Sequence, residues 1–188
     1  MDALDALLSR NSVAMLQGPG PDKMQLEKIF QAGLKANDHR RLRPWKFFLI
    51  EGEARKSLAS LMLDIALRDD PDMSEEKQGK LLAKPLRAPT IVLVVAAMQP
   101  DCFDKVPAIE QILSAGGAAQ MMMVAAHAQG VGAIWRTGSI AYNPHFRSGL
   151  GLDEHDEIVG LLYMGSPKAV KPLQQLNTED FVQSWSGS

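Results

Sequence analysis

Around Pro44-Trp45, just ahead of the apolar run Phe47-Phe48-Leu49-Ile50, the chain crowds together Lys35, His39, Arg40, Arg41, Arg43 and Lys46. The protein as a whole carries a formal net charge of -2, so this concentration of positive charge is local. Lysine and arginine are obligate hydrogen-bond donors at neutral pH, and histidine titrates near it. Cations beside a buried aromatic edge suit a ligand that is anionic, planar and aromatic. The plainer alternative is a solvated basic loop behind a helix, where positive charge is favoured by the helix dipole.

Two further segments have donor chemistry. In Arg10-Asn11-Ser12 a guanidinium can grip a phosphate through two parallel hydrogen bonds, with the hydroxyl and nearby amides adding more. Arg10 could equally do no more than offset the dipole of a preceding helix. Ile134-Trp135-Arg136-Thr137-Gly138 ends an apolar stretch in a Trp-Arg pair, where an arginine at a strand end can face a cleft or simply solvent.

Other chemistries find no support. His39, His127, His145 and His155 are scattered without ligand spacing, so no metal site is expected. Neither a Gly-x-Ser-x-Gly nucleophile elbow, nor a phosphate-binding Gly-Lys-Ser/Thr loop, nor a Gly-x-Gly-x-x-Gly turn occurs, which argues against a hydrolase or a Rossmann dehydrogenase. Met121-Met122-Met123 reads as adaptable core packing.

The elements that must position these residues follow from periodicity and punctuation. Ala3, Leu4, Leu7 and Leu8 predict a short helix capped by Asp2. Asp22 and Gln25 have capping-box spacing ahead of a second helix through Leu26, Ile29, Phe30 and Leu34. Trp45 to Ile50 predicts a strand buried on both faces, and a third helix carries Leu58, Leu61, Met62 and Ile65. The Asp69–Asp72 stretch reads as an exposed connection, with room for a short helix after it. Thr90 to Ala96 is the clearest strand. A long helix from Pro107 to Gln129 is small or apolar nearly all round, which predicts burial on most sides, with a second subunit as its cover. Val131 to Trp135 and Ile158 to Met164 read as strands, and Asn143 to Ser148 as a short helix. This mixture fits either a parallel α/β sheet or an α+β sheet layered by helices. Residues 166–188 read as a polar arm with scattered hydrophobes that lies across another surface.

Bulk properties set the class. With 188 residues, 46% of them hydrophobic, the chain suffices for one domain, and no apolar run is long enough to span a bilayer. Balanced charge argues against a nucleic-acid binder. Cys102 is the sole cysteine, which rules out an internal disulfide. Asp2 and Asp5 stand where a secretory leader would be basic, so a cytoplasmic location is expected.

In order and spacing, the segments resemble the flavin-dependent nitroreductase family, in its short bacterial branch. The likeness rests on Met1-Asp2-Ala3-Leu4 with Arg10-x-Ser12, and on Ala32-Gly33 through Asp38-His39 to Pro44-Trp45-x-Phe47-Phe48. It continues through Ser114-Ala115-Gly116 and Ala128-Gln129-Gly130-x-Gly132-x-Ile134-Trp135-Arg136-x-Gly138, and ends with Ile158-Val159-Gly160 and Gly165-x-Pro167.

The resemblance implies an α+β fold of nitroreductase type: a mostly antiparallel central sheet flanked by helices, in an intertwined homodimer. One FMN-binding domain would cover residues 1–188, with 166–188 as its C-terminal arm. It implies an oxidoreductase that transfers hydride from NADH or NADPH through FMN to a nitroaromatic, quinone or similar acceptor. A non-catalytic flavin carrier or sensor is the rival reading. By motif position Arg10, Asn11 and Ser12 would hold the FMN phosphate and ribityl chain. Lys35 and His39 would lie at the isoalloxazine polar edge, while Trp135, Arg136 and Thr137 would come from the other subunit. No protein side chain is expected to act as a nucleophile or general acid, because the flavin carries the chemistry; Lys35 is the candidate for electrostatic support. Relatives commonly have Arg where Asn11 stands and Gln where Arg43 stands. The resemblance leaves Arg40, Arg41 and Arg43 without a role, and Lys168 and Lys171 as loose candidates for the phosphate.

Overall fold

A computed structural model describes residues 1–187; Ser188, the last position of the expected arm, lies outside them. In chain order the elements are α1 (Ala3–Ser9), β1 (Met15–Gln17), α2 (Lys23–Gly33), β2 (Lys46–Glu51), α3 (Ala54–Asp69), α4 (Glu75–Ala83), β3 (Thr90–Ala96), α5 (Ala108–Ala128), β4 (Gly132–Arg136), α6 (Pro144–Gly149) and β5 (Glu157–Ala169). Every strand pair is antiparallel. The long strand β5 organises the sheet: β3 and β4 pair along its first two-thirds, β1 pairs along its end, and β2 extends the sheet beyond β3. The α+β alternative therefore holds over the parallel one.

The caps form as their sequences require. The Asp2 carboxylate accepts the Leu4 N–H at 2.9 Å. Asp22 and Gln25 exchange reciprocal bonds of 2.8 and 2.9 Å, a complete capping box. Strand β3 is buried at all seven positions, and its two faces separate two cores. Ile91, Leu93 and Val95 pack with Leu58, Met62 and Ile65 of α3 and Phe146 of α6. Val92 and Val94 pack with Ile29 of α2 and Met122 and Met123 of α5. Each such side chain contributes about 1.5–3 kcal/mol on removal from water. The helices thus form two layers, α2 and α5 on one face of the sheet and α3 and α6 on the other.

Two expectations are corrected. Strand β2 is not buried on both faces: it is an outer strand with Leu49 44% exposed, because only β3 pairs with it. Within one chain, helix α5 buries one face (Gln111, Ala115, Ala118, Ala119, Met122, Met123, Ala126) and leaves Ile109, Leu113 and Met121 exposed, on the side that the expected second subunit would cover. Its uniform small and apolar composition hides this division from the periodicity. The arm also begins later than residue 166, since β5 runs on to Ala169 against β1; residues 170–187 are exposed throughout, Phe181 and Trp185 included. No helix among the described residues is long and apolar enough to cross a membrane.

Candidate functional site

Helix α2 ends in a turn in which the Lys35 N–H donates to the Ala32 carbonyl, leaving the Lys35 side chain exposed. A short 3-10 turn, His39–Arg41, follows, and the His39 Nδ1 lies 2.5 Å from Glu110 Oε2 on α5. Arg40, Arg41 and Arg43 adopt φ of 58°, 56° and 55°. Left-handed backbone costs an L-residue other than glycine about 1–2 kcal/mol. The Asp38 carboxylate offsets this cost by accepting the Leu42 N–H (3.0 Å), the Arg43 N–H (2.9 Å) and the Arg43 guanidinium (2.7 Å). Pro44 and Trp45 are core residues, Trp45 lying against Ala96, Ala115 and Ala118. Lys46 pairs with buried Asp156 at 3.2 Å. The basic stretch therefore divides. Arg43 and Lys46 serve the fold, whereas the side chains of Lys35, Arg40 and Arg41 form no hydrogen bond or ion pair among the described residues.

At the other sequence-predicted segment, Arg10 closes α1 in extended backbone. Asn11 Oδ1 accepts the Ser12 N–H at 2.8 Å, and Asn11 Nδ2 donates to the Lys171 carbonyl at 2.7 Å, which ties the start of the arm to this loop. The Val13 N–H donates to Ala133 of β4 at 2.9 Å, so Arg10–Ser12 runs up beside β4 of its own chain.

The alternation of β4 sends its side chains to opposite faces. Trp135 turns toward the α5 layer and donates its Nε1–H to the Val159 carbonyl at 3.1 Å. It closes over Gly160, where a Cβ would stand 2.1 Å from the indole nitrogen, so only glycine fits. Arg136 turns the other way, with its guanidinium carbon 5.8 Å from the centroid of the Tyr163 ring. The Arg136 Nε is buried and has no hydrogen-bond partner.

That orphaned donor lies at a cavity of about 490 Å³ between β4, β5, α3 and the end of α4. Its charged lining is Lys84, Arg87, Arg136 and Asp69, and its aromatic wall is Tyr163. Three cations face one carboxylate, so positive charge dominates; Asp69 also accepts a bond from Asn143 at 3.1 Å. Burial raises the Tyr163 pKa against the opposing pull of Arg136 and Arg87, which keeps the phenol protonated at neutral pH. The volume suits a drug-sized ligand. A buried guanidinium donor, two more cations and an aromatic wall fit an anionic, aromatic group such as a flavin mononucleotide.

Of the sequence-predicted residues, the structure brings Trp135, Arg136 and Thr137 to this cavity. Arg10, Asn11 and Ser12 do not line it, since α1 packs on α5 with Ser9 Oγ 2.9 Å from His127 Nε2. They join β4 through the Val13–Ala133 bond that follows them. Lys35 and His39 lie in the α2/α5 layer, on the opposite face of the sheet. Sequence reasoning missed Lys84, Arg87 and Tyr163. The available signal was Lys84-Pro85-Leu86-Arg87, two cations in a short turn just before the most buried strand.

Comparison with known proteins identifies the family and the fold. The sequence profile described as the nitroreductase family matches residues 7–166. YdjA of Escherichia coli strain K12, provisionally named an NAD(P)H nitroreductase, is 41% identical over 180 residues, covering 96% of each chain. The nitroreductase-like family protein of Bacillus cereus superimposes with a TM-score of 0.82 at 25% identity, over 100% of this chain and 97% of that one. A provisionally named nitroreductase from Desulfovibrio desulfuricans, solved in complex with FMN, superimposes with a TM-score of 0.72 at 21% identity, over 100% of this chain and 99% of that one.

Proposed function

The chain belongs to the nitroreductase family, and from that premise we propose that it is an FMN-dependent oxidoreductase driven by NADH or NADPH. The observation that carries the reading is the cation-lined aromatic cavity at the end of β4, with the buried and unpartnered Arg136 Nε at its wall. FMN, when bound, would supply the redox chemistry between NADH or NADPH and a nitroaromatic, quinone or similar acceptor.

The chain's own residues bind and polarise. Arg10 would hold the phosphate, a guanidinium being able to form paired bonds to it, with the Ser12 hydroxyl as a second donor. Asn11 holds the Ser12 amide and the start of the arm, and so shapes the loop. Lys84, Arg87 and Arg136 line the cavity with positive charge that would favour an anionic reduced flavin there, the electrostatic support for which the resemblance makes Lys35 the candidate. Tyr163 stays a protonated donor beneath Arg136. No side chain is given a nucleophilic or general-acid role.

The site is shared in a homodimer, but along a different division from the one implied by resemblance. Arg10–Ser12 and Trp135–Thr137 come from one subunit, because Val13 pairs with Ala133 within the chain. Lys35 and His39, on the other face of the sheet, reach the site from the second subunit. The uncovered apolar face of α5 and the exposed arm with Phe181 and Trp185 supply the surfaces for that association. The whole chain acts as one domain. The test is direct: purified protein should carry a yellow chromophore, released by acid and identified by mass as FMN. Protein that neither carries FMN nor takes it up on addition contradicts the assignment.

A further inference from the structure

The basic turn after α2 has a construction that the flavin does not account for. Three of its four residues from Arg40 to Arg43 stand in the left-handed region, and all three are arginines. A buried relay holds it there. Asp38, its side chain 4% exposed, binds the Leu42 and Arg43 amides. Gln99 Nε2 donates to the Leu42 carbonyl at 2.6 Å, and fully buried Gln111 in turn accepts the Gln99 N–H at 2.9 Å while donating to the Val106 carbonyl at 3.1 Å. Asp38 also takes the Arg43 guanidinium. Arg40 and Arg41 are thus the exposed arginines of a pinned loop, with no hydrogen-bonding or ionic partner among the described residues.

We infer that Arg40 and Arg41 form a receptor for the 2′-phosphate of NADPH and give the enzyme a preference for it over NADH. This rests on the proposed FMN site with Lys35 and His39 at its rim. Arg40 and Arg41 directly follow His39, so with His39 at the flavin's rim they would stand where the adenylate half of a dinucleotide leaves it. A phosphate monoester carries nearly two negative charges at neutral pH and three acceptor oxygens, and matches two guanidinium forks better than a singly charged diester does. The FMN phosphate already has Arg10 and Ser12, on a different segment of the chain.

The test uses FMN-loaded protein titrated calorimetrically with NADP⁺ and with NAD⁺, for the natural chain and for Arg40→Asn and Arg41→Asn. Asparagine keeps the left-handed backbone accessible and removes the charge. The natural chain should bind NADP⁺ more tightly than NAD⁺. Each variant should lose about tenfold or more in NADP⁺ affinity, as expected for a charged hydrogen bond, with NAD⁺ affinity and FMN content unchanged. The NADPH-to-NADH ratio of kcat/KM should fall in step. Equal affinity for the two dinucleotides in the natural chain, or equal losses for both in the variants, overturns the assignment even where FMN is retained and NADH reduces it. Protein that holds no FMN overturns the cofactor reading, and this inference with it.

Discussion

Arg10 and Arg136 play different parts, and their substitutions separate binding from folding. Arg10 is partly exposed at the end of α1 and has no side-chain partner among the described residues, so Arg10→Ala should leave the fold intact. It should weaken FMN by about tenfold or more, the worth of a charged hydrogen bond, and dilution followed by filtration should strip the flavin. Full retention would move the phosphate elsewhere. Arg136 carries a buried donor without a partner, and such a group costs about 1–3 kcal/mol. Arg136→Leu should therefore leave the flavin-free protein equal or greater in thermal stability while lowering its FMN affinity. A clear loss of stability in the flavin-free form would show that Arg136 is structural. Sequence could nominate Arg136 from its place at a strand end, but not Lys84 or Arg87. Those two read as solvated charge after a helix, and only the sheet brings them against a residue some fifty positions later.

At the scale of elements, what periodicity can express was legible. Both N-caps formed as read, and β3 formed with the bounds its Thr90–Ala96 run implied. Strand β1 was not, since three residues ahead of Gly18-Pro19-Gly20-Pro21 are too few to show alternation, and their pairing is decided by β5 alone. The two-sided burial assigned to β2 failed because an apolar run does not reveal whether a strand lies in the middle or at the edge of a sheet. Close approach is likewise invisible until the fold is known. Gly160 on β5 exists for Trp135 on β4, and Gly160→Ala should displace the indole and break its bond to Val159. A cost of about 1–3 kcal/mol is expected, as for other overpacked cores, measured by urea unfolding, with flavin binding weakened through the shifted strand end. Unchanged stability would mean that β4 and β5 are free to part there.

Across the whole molecule, the surfaces that one chain leaves uncovered match what a composite site needs. Leu113 and Ile109 on α5 are more than half exposed, and so are Phe181, Val182 and Trp185 on the arm. Each would contribute about 1.5–3 kcal/mol if covered. Within its own chain the described arm is tied by the Asn11–Lys171 bond, and residues 170–187 are all exposed. Removing residues 170–188 should accordingly spare the two cores while lowering both dimer stability and flavin affinity, read by gel filtration and by flavin content at equal protein concentration. A truncated protein that remains a dimer with its full flavin would remove the arm from the site. The most direct measurement of all is the visible spectrum of the purified holoprotein under anaerobic conditions. Addition of NADH or NADPH should bleach the flavin bands, and a nitroaromatic or quinone should then restore them. A bound flavin that neither nicotinamide bleaches would make this protein a flavin carrier rather than an oxidoreductase.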